Sequence, residues 1–563
     1  MDQIITVGVL GSILVSFIIA FFMTRSREAQ ESFLFWTDYN GKNRLSYAVN
    51  SNLGSVTSGF VFICGVTLVA FAFGTYAAAV MIGSFILAYS LFALMLGAAL
   101  RRKGSPWQVQ IENWKGNDTP QEQEAHEPRL SIVHVLGSYF GPLTTSLCLL
   151  VMLAFIVFAL ASELVLFQNM LRGVLAETHG LRIGPEALTF LLLAICTLYT
   201  VRGGFEGVFK TDVFQMGVVV ALFVALIWML HTYSASPTER FDILSVVSNP
   251  RNACGFNCQA WLALSVFPFV VFAYAFGAID QWNRTLLFIG NPKRTVKALV
   301  ITGIGIAIIG CIAAYLGLSM RLWRPLADRF LVLENGIWNL RSFQDVTQLP
   351  FSGTALHNFA EWPRWFTMLA WAGIAAMALT TIDCLLLTIG QLFRQWSLLL
   401  ETNYLRGHEA SHPLSSRELR KPLTPLGQQM MHFVFWAGDN PRYVIGAGAG
   451  AVGLLAVVMN YVPYACAGLW GWSFQYLAAV LVLCSLLASR PSIAHRDAYT
   501  SRSLLWLIVV WLIAFAINLS LSIASPRTST STLPILTVLM GVGLMWHLMR
   551  KDHSTPSQPG GSR

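Results

Sequence analysis

The sequence predicts an all-α integral membrane protein, and three observations predict it. Of 563 residues, 55% are hydrophobic and only 12% charged, whereas a soluble domain carries about a quarter charged residues. With a mean hydropathy of +0.59, there is too little polar surface to cover a water-soluble body of this size. Apolar runs of roughly 20 residues recur, each long enough to cross a ~30 Å hydrocarbon core. Backbone polar groups in lipid must be satisfied within their own segment, so these runs are helices. The length criterion gives about thirteen spans, at 4–23, 47–74, 76–99, 143–170, 187–201, 211–232, 260–281, 296–320, 365–394, 443–459, 467–489, 503–524 and 533–550.

The first run, 4–23, is preceded only by MDQ and followed by no A-x-A-like site, so it reads as a span and not a cleaved signal. The second contains NSNLGSVTSGF at 50–60. A polar, glycine-containing stretch at membrane depth is tolerated where the helix is broken and lines a cavity. The third, TYAAAVMIGSFILAYSLF, offers no acid or amide of the kind a sugar would need. In the fourth, Glu163 stands deep in LAFIVFALASELVLFQNML. A buried acid must be protonated, paired or facing water. Glu163 therefore either binds a cationic substrate group, exchanges a proton, or lies at the edge of the core and pairs with Arg172. The last of these is weighted first.

Between the fifth and sixth spans stands YTVRGGFEGVFKTDVFQ, 199–215. Two glycines and two basic residues suit a short polar hairpin. They do not explain Thr211, Asp212 and Gln215 at the start of the next helix, because an ionisable group at that depth marks a pathway by default. In the ninth span, ALTTIDCLLL places the hydroxyls of Thr380 and Thr381 side by side in apolar sequence. Each could simply bond back to the carbonyl one turn earlier; two together could also serve a cation.

The positive-inside bias sets the N-terminus outside and the C-terminus in the cytoplasm. The basic residues Arg25, Arg27, Lys42, Arg44, Arg101, Arg102, Lys103, Arg202, Lys210, Lys293, Arg294, Lys297, Arg550 and Lys551 then fall inside. Loop 321–364 is the exception, with five arginines outside, but long loops translocate largely regardless of charge. The formal charge of +9 fits anchoring to anionic lipid and gives no reason to invoke nucleic acid. No soluble domain is visible. Segments 101–140 and 395–440 are polar, the latter a connector rich in proline and basic residues, and 551–563 is a short cytoplasmic tail. Most cysteines sit in spans as small apolar residues. Cys254 and Cys258 share an outer loop where an oxidising compartment would allow a disulfide.

The pattern Y-T-x-x-G-G-F-x-x-V-x-x-T-D-x-x-Q at 199–215 resembles the signature of the sodium:solute symporter family. Residues 374–388, IAAMALTTIDCLLLT, resemble that family's A-A-x-M-S-T-x-D-S-x-L helix. Residues 280–287, DQWNRTLL, resemble its D-Q…Q-R-x-L block, with Asn283 where glutamine is usual. The resemblance implies a five-plus-five inverted-repeat, leucine-transporter-like core. The repeats would be 47–232 and 260–489, with an additional span at 4–23 and two more within 503–550. It also implies a bacterial inner-membrane protein that couples sodium entry to uptake of a small organic solute, with no enzymatic cofactor.

A dehydrated sodium ion needs about five or six oxygens in place of its water. The resemblance assigns these to Thr380, Thr381 and the Met377 carbonyl, with the carbonyls of Gly54 and Thr57. It places Asp212 on the cytoplasmic ion exit; pairing with Arg202 or Lys210 is the competing reading. Substrate candidates are Ser58, Glu163, Tyr274, Phe276, Trp470, Trp472 and Gln475, although membrane aromatics are commonly interface anchors. Two further readings stand beside symport. One is a transporter-fold sensor without net transport, and the other a proton-coupled carrier using Glu163 or Asp383.

Overall fold

The computed structural model describes residues 2–22, 66–102, 132–179, 184–232, 275–277, 279–286, 292–322, 331–334, 337–340, 364–404 and 425–460, with the single or short stretches 45, 49, 52–54, 247, 271, 479, 482, 486 and 516. Its helices are α1 (Asp2–Phe22), α2 (Leu68–Arg101), α3 (Ile132–His179), α4 (Pro185–Thr232) and α5 (Ile279–Leu286). They continue with α6 (Pro292–Leu322), α7 (Arg364–Tyr404), α8 (Pro425–Asp439) and α9 (Pro441–Met459). Among the described residues, six helices are long and apolar enough to cross a membrane: α2, α3 over Cys148–Gln168, α4 over Thr189–Ala225, α6, α7 and α9.

Helix α7 is the axis of the bundle. In the most apolar 18 residues of its spanning stretch, Met368–Glu401, 94% are buried, against 39–67% in the corresponding parts of the other spans. It packs against α1, α3, α4, α8 and α9, while α6 packs along α2. In lipid no hydrophobic force drives helices together, so close approach at small residues and interhelical hydrogen bonds must do so. The buried face of α1 shows the pattern, repeating every fourth residue as Gly8, Ser12, Ser16 and Ala20. A Cβ on Gly8 would collide with the Met368 carbonyl of α7. Ser16 accepts a 3.1 Å hydrogen bond from Gln215 Nε2. The opposite face, with Leu10, Leu14, Ile18 and Phe22, is exposed and suits lipid.

Two glycines break helices. Gly74 (φ 79°, ψ −160°) stands within α2, at the expected junction of the second and third spans. The carbonyls of Phe71 and Ala72 beside the break each accept a 2.7 Å hydrogen bond from buried Arg321 at the end of α6. Gly204 (φ 55°, ψ −150°) stands within α4. The nine-residue polar hairpin expected at 202–210 is thus corrected to a single-residue turn with helix on both sides. A left-handed glycine can redirect the chain alone, and an i,i+4 ion pair of Glu206 with Lys210 at 2.8 Å supports the helix beyond it.

Other boundaries differ more. Helix α7 runs ten residues past the expected end at 394 and α8 fills much of the expected connector 395–440, which lacks glycine or proline until Gly407. Within the expected loop 321–364, the strands Leu331–Glu334 and Ile337–Leu340 pair antiparallel. In the sequence the two strands are separated by Asn335–Gly336, a strong hairpin signal. Expected spans 4–23, 296–320 and 443–459 agree with α1, α6 and α9. Most of 260–281, 467–489 and 503–524, and all of 533–550, the tail, and Cys254 with Cys258 lie outside the described residues.

The conformation at Gly204 is one that only glycine adopts freely, so Gly204→Ala should cost about 1–3 kcal/mol of stability. Gly217→Ala, on an open face of the same helix with no atom within 4 Å of the new Cβ, should be neutral or stabilise by up to ~1 kcal/mol. Thermal unfolding in detergent of the two variants beside the parent checks the contrast.

Candidate functional site

The middle of α7 faces both Gly54, in the expected second span, and the start of α4's second half. Thr380 Oγ1 donates to the Gly54 carbonyl at 2.6 Å, across elements far apart in sequence. Thr381 Oγ1 donates to the Met377 carbonyl at 3.2 Å, one turn earlier on α7. Gly54, Met377, Thr380 and Thr381 are all buried. Thr381 therefore makes the back-bond anticipated for membrane-helix threonines, while Thr380 reaches across to another span. A Cβ on Gly54 would lie 3.3 Å from Asp212 Cγ, so the glycine lets the second span approach the Asp212 carboxyl.

Asp212 is fully buried and its Oδ2 lies 3.1 Å from Arg284 Nη1 of α5. Neither basic residue expected beside it is its partner. Lys210 binds Glu206, and Arg202 lies over the Phe21 ring at 5.2 Å. The Cys384 thiol is 3.5 Å from Asp212 Oδ1. Next to it, Asp383 Oδ2 accepts from Tyr199 OH at 3.0 Å. The Thr211 hydroxyl shares its one proton between the Val208 carbonyl at 2.7 Å and Asp383 Oδ2 at 3.2 Å. Asp383 Oδ1 has no hydrogen-bond partner among the described residues.

Donor atoms of Asp212, Asp383 and Cys384 lie within 4.8 Å of one another. Two carboxylates against one guanidinium make a cluster whose charge suits a cation when both acids are ionised. The arrangement can attract and hold a small cation and has no nucleophile–base pair for covalent chemistry among the described residues.

Of the residues expected from sequence, the structure thus brings together Gly54, Met377, Thr380, Thr381 and Asp212. Thr57, Ser58, Tyr274, Trp470, Trp472 and Gln475 lie outside the described residues. Glu163 on α3 is 2% exposed, and the side chain of Arg172, its expected partner, lies outside the described residues. Phe276 is buried against Phe92 at 5.6 Å, and its carbonyl accepts from Trp282 Nε1 at 3.0 Å. Sequence reasoning missed Arg284 as the partner of Asp212 and gave Tyr199 and Thr211 no role. All three stand inside the segments that carried the family resemblance, so the signal was present without its geometry.

No family model matches the sequence, and no curated protein does. Solved structures do. A Na+-coupled sialic acid symporter, in a substrate-bound outward-open state with a novel Na+-site, aligns over 99% of this chain and 99% of its own, with a TM-score of 0.61 and 16% identity. A nucleobase-cation-symport-1 family transporter, closed with bromovinylhydantoin bound, aligns over 90% of this chain and 92% of its own at a TM-score of 0.46 and 13% identity. The first match extends over the whole chain and gives it the leucine-transporter-like fold.

Removing one member of a buried ion pair strands the other charge. Asp212→Asn should therefore destabilise the protein by about 3–5 kcal/mol. The double variant Asp212→Asn/Arg284→Gln should recover part of that loss. A double-mutant cycle on thermal unfolding measures the coupling, and additive losses would show that the pair is not an energetic unit.

Proposed function

We propose that the chain is a secondary active transporter of the sodium:solute symporter family, taking up a small organic solute with sodium by alternating access. The observation that carries this reading is the convergence of Thr380 Oγ1 and the Gly54 carbonyl at 2.6 Å, beside the Thr381–Met377 pair. Hydroxyl and carbonyl oxygens are the hard donors sodium requires. They meet where a polar stretch interrupts an apolar span, the place where such folds bind ions. Thr57, three residues beyond Gly54, would complete the set. The solved symporter with the same fold supports the reading, since it is itself Na+-coupled.

In the resting state the Gly54 carbonyl accepts the Thr380 proton. A sodium ion arriving between them would take both oxygens as ligands, and the hydroxyl would turn its proton away. Asp212, against Gly54, would lower the energy of the ion nearby and receive it on departure. The distribution of basic residues supports an N-terminus outside and a cytoplasmic Lys293–Arg294–Lys297 end, in the proposed setting of a bacterial inner membrane. Inward movement of one charge through 100 mV then releases about 2.3 kcal/mol, which drives the solute without any covalent step.

A ligand that binds only the folded state stabilises it, by about 2.7 kcal/mol at a hundred times its dissociation constant. NaCl should raise the thermal midpoint of the purified protein above choline chloride of equal ionic strength. Thr380→Ala/Thr381→Ala should abolish the difference. A wild-type midpoint indifferent to sodium would rule out the proposed site.

A further inference from the structure

We propose that α5 is the inner gate of the carrier: docked on α7, it closes a polar path leading from the Thr380 site to Gln395, and Asn283 is the positioning residue that holds it shut. This rests on the symport reading. The path is a stripe on one face of α7. Thr380, Cys384, Thr388, Gln391 and Gln395 follow one another at steps of three or four residues, the spacing of a single helical face. All are buried. At a rise of 1.5 Å per residue the stripe covers roughly 22 Å, from the candidate ion site toward the helix end that precedes the polar connector. Asp212, assigned to ion exit, stands beside its second member, Cys384.

Helix α5 lies on the stripe at Gln391 and Gln395 and, through the Arg284–Asp212 pair, beside Cys384. Its residues Asp280, Gln281, Trp282, Asn283, Arg284 and Thr285 are consecutive and every one is buried. An eight-residue helix of this polarity does not reach such burial through apolar packing. Specific bonds to three different helices hold it. Gln281 Oε1 accepts from Tyr89 OH of α2 at 2.8 Å. Arg284 binds Asp212 of α4. Asn283 faces α7 and makes both of its bonds to the stripe: its Nδ2 donates to Gln391 Oε1 and its Oδ1 accepts from Gln395 Nε2, each at 3.1 Å. Trp282 packs on Phe92 at 4.5 Å and closes the face away from α7.

These are bonds that water can replace. When the amide clasp opens, it exposes groups able to line a wet path. The docked state also leaves the stripe incompletely satisfied, since Gln395 Oε1 has no partner among the described residues. The mouth is at the charged end of the bundle, because α6 begins six residues after α5 ends, with Lys293 and Arg294 exposed.

The chain carries its own reporter. Cys384 lies on the stripe behind the clasp, while Cys148 on α3 and Cys196 on α4 are equally buried elsewhere. The full-length protein in liposomes in choline chloride without sodium would be alkylated with N-ethylmaleimide, and each cysteine's rate read by peptide mass spectrometry. Asn283→Ala should speed labelling of Cys384 by about tenfold, the shift expected from losing hydrogen bonds of this kind, with Cys148 and Cys196 unchanged. Gln391→Leu removes the clasp from the other side and should do the same, which covers failure of the first variant to fold. Unchanged Cys384 labelling in the folded variants, or equal acceleration of all three cysteines, would overturn the gate. Sodium-driven uptake by wild-type liposomes tests the symport reading separately. Uptake with an unmoved Cys384 rate leaves symport standing without this gate, and selective opening of Cys384 without uptake leaves the gate standing without symport.

Discussion

Everything around α7 follows from one constraint: it carries hydroxyls, amides and a carboxyl through a depth where only protein can satisfy them. An unpaired polar group in hydrocarbon costs several kcal/mol, so the partners of α7 are selected by what they can donate or accept. The polar stretch of the expected second span supplies the Gly54 carbonyl to Thr380. The turn at Gly204 lets Tyr199 and Thr211, on opposite sides of it, both reach Asp383 Oδ2. Trp396 Nε1 donates to Ser146 of α3 at 2.9 Å. Each neighbour thus meets a particular polar group on α7, and the hydrogen bonds fix the register that apolar contacts alone would leave loose.

Small residues set how closely those neighbours approach. Gly373 of α7 leaves room for Leu222 of α4, and Gly438 on α8 for Ser397 of α7. Farther out, Gly303 of α6 meets Tyr89 of α2, whose hydroxyl binds Gln281 of α5. A glycine contact between two long helices therefore positions the tyrosine that anchors the proposed gate. Packing and function are linked through this one side chain.

Much of this was legible in the sequence, and the reason lies in the period of each signal. Membrane spans are written as runs, so α1, α6 and α9 could be bounded closely, and Gly74 marked its junction. The oxygens of the candidate site stood out because Thr380 and Thr381 interrupt an apolar run. Pairings were not legible. Arg284 looked like a basic residue at a span end, and nothing in DQWNRTLL says that it folds back to reach Asp212. The stripe on α7 was written in the sequence at helical spacing, but its last member, Gln395, lies just beyond the expected end at 394, where the sequence reads as a polar connector. An apolar-run criterion ends a helix wherever amides begin, even where the helix continues buried in protein.

The polar core also bears on how such a molecule can have two conformations of similar energy. To move a population from 1:99 to 99:1 takes about 5.5 kcal/mol. A core closed by hydrocarbon packing over the same surface would be too deep a well for a single ion to tip. Here the closed arrangement combines favourable and unfavourable contributions. The Asp212–Arg284 pair and the Asn283 amide bonds hold it together, while Asp383 Oδ1 and Gln395 Oε1 are left without partners among the described residues. Each unsatisfied buried acceptor costs about 1–3 kcal/mol, a sizeable fraction of that shift. A cation entering beside Asp212 would compete with Arg284 for the same carboxylate and weaken one of the bonds that keep α5 docked. The binding of the ion and the release of the gate would then draw on one shared charge, which is the coupling a symporter needs.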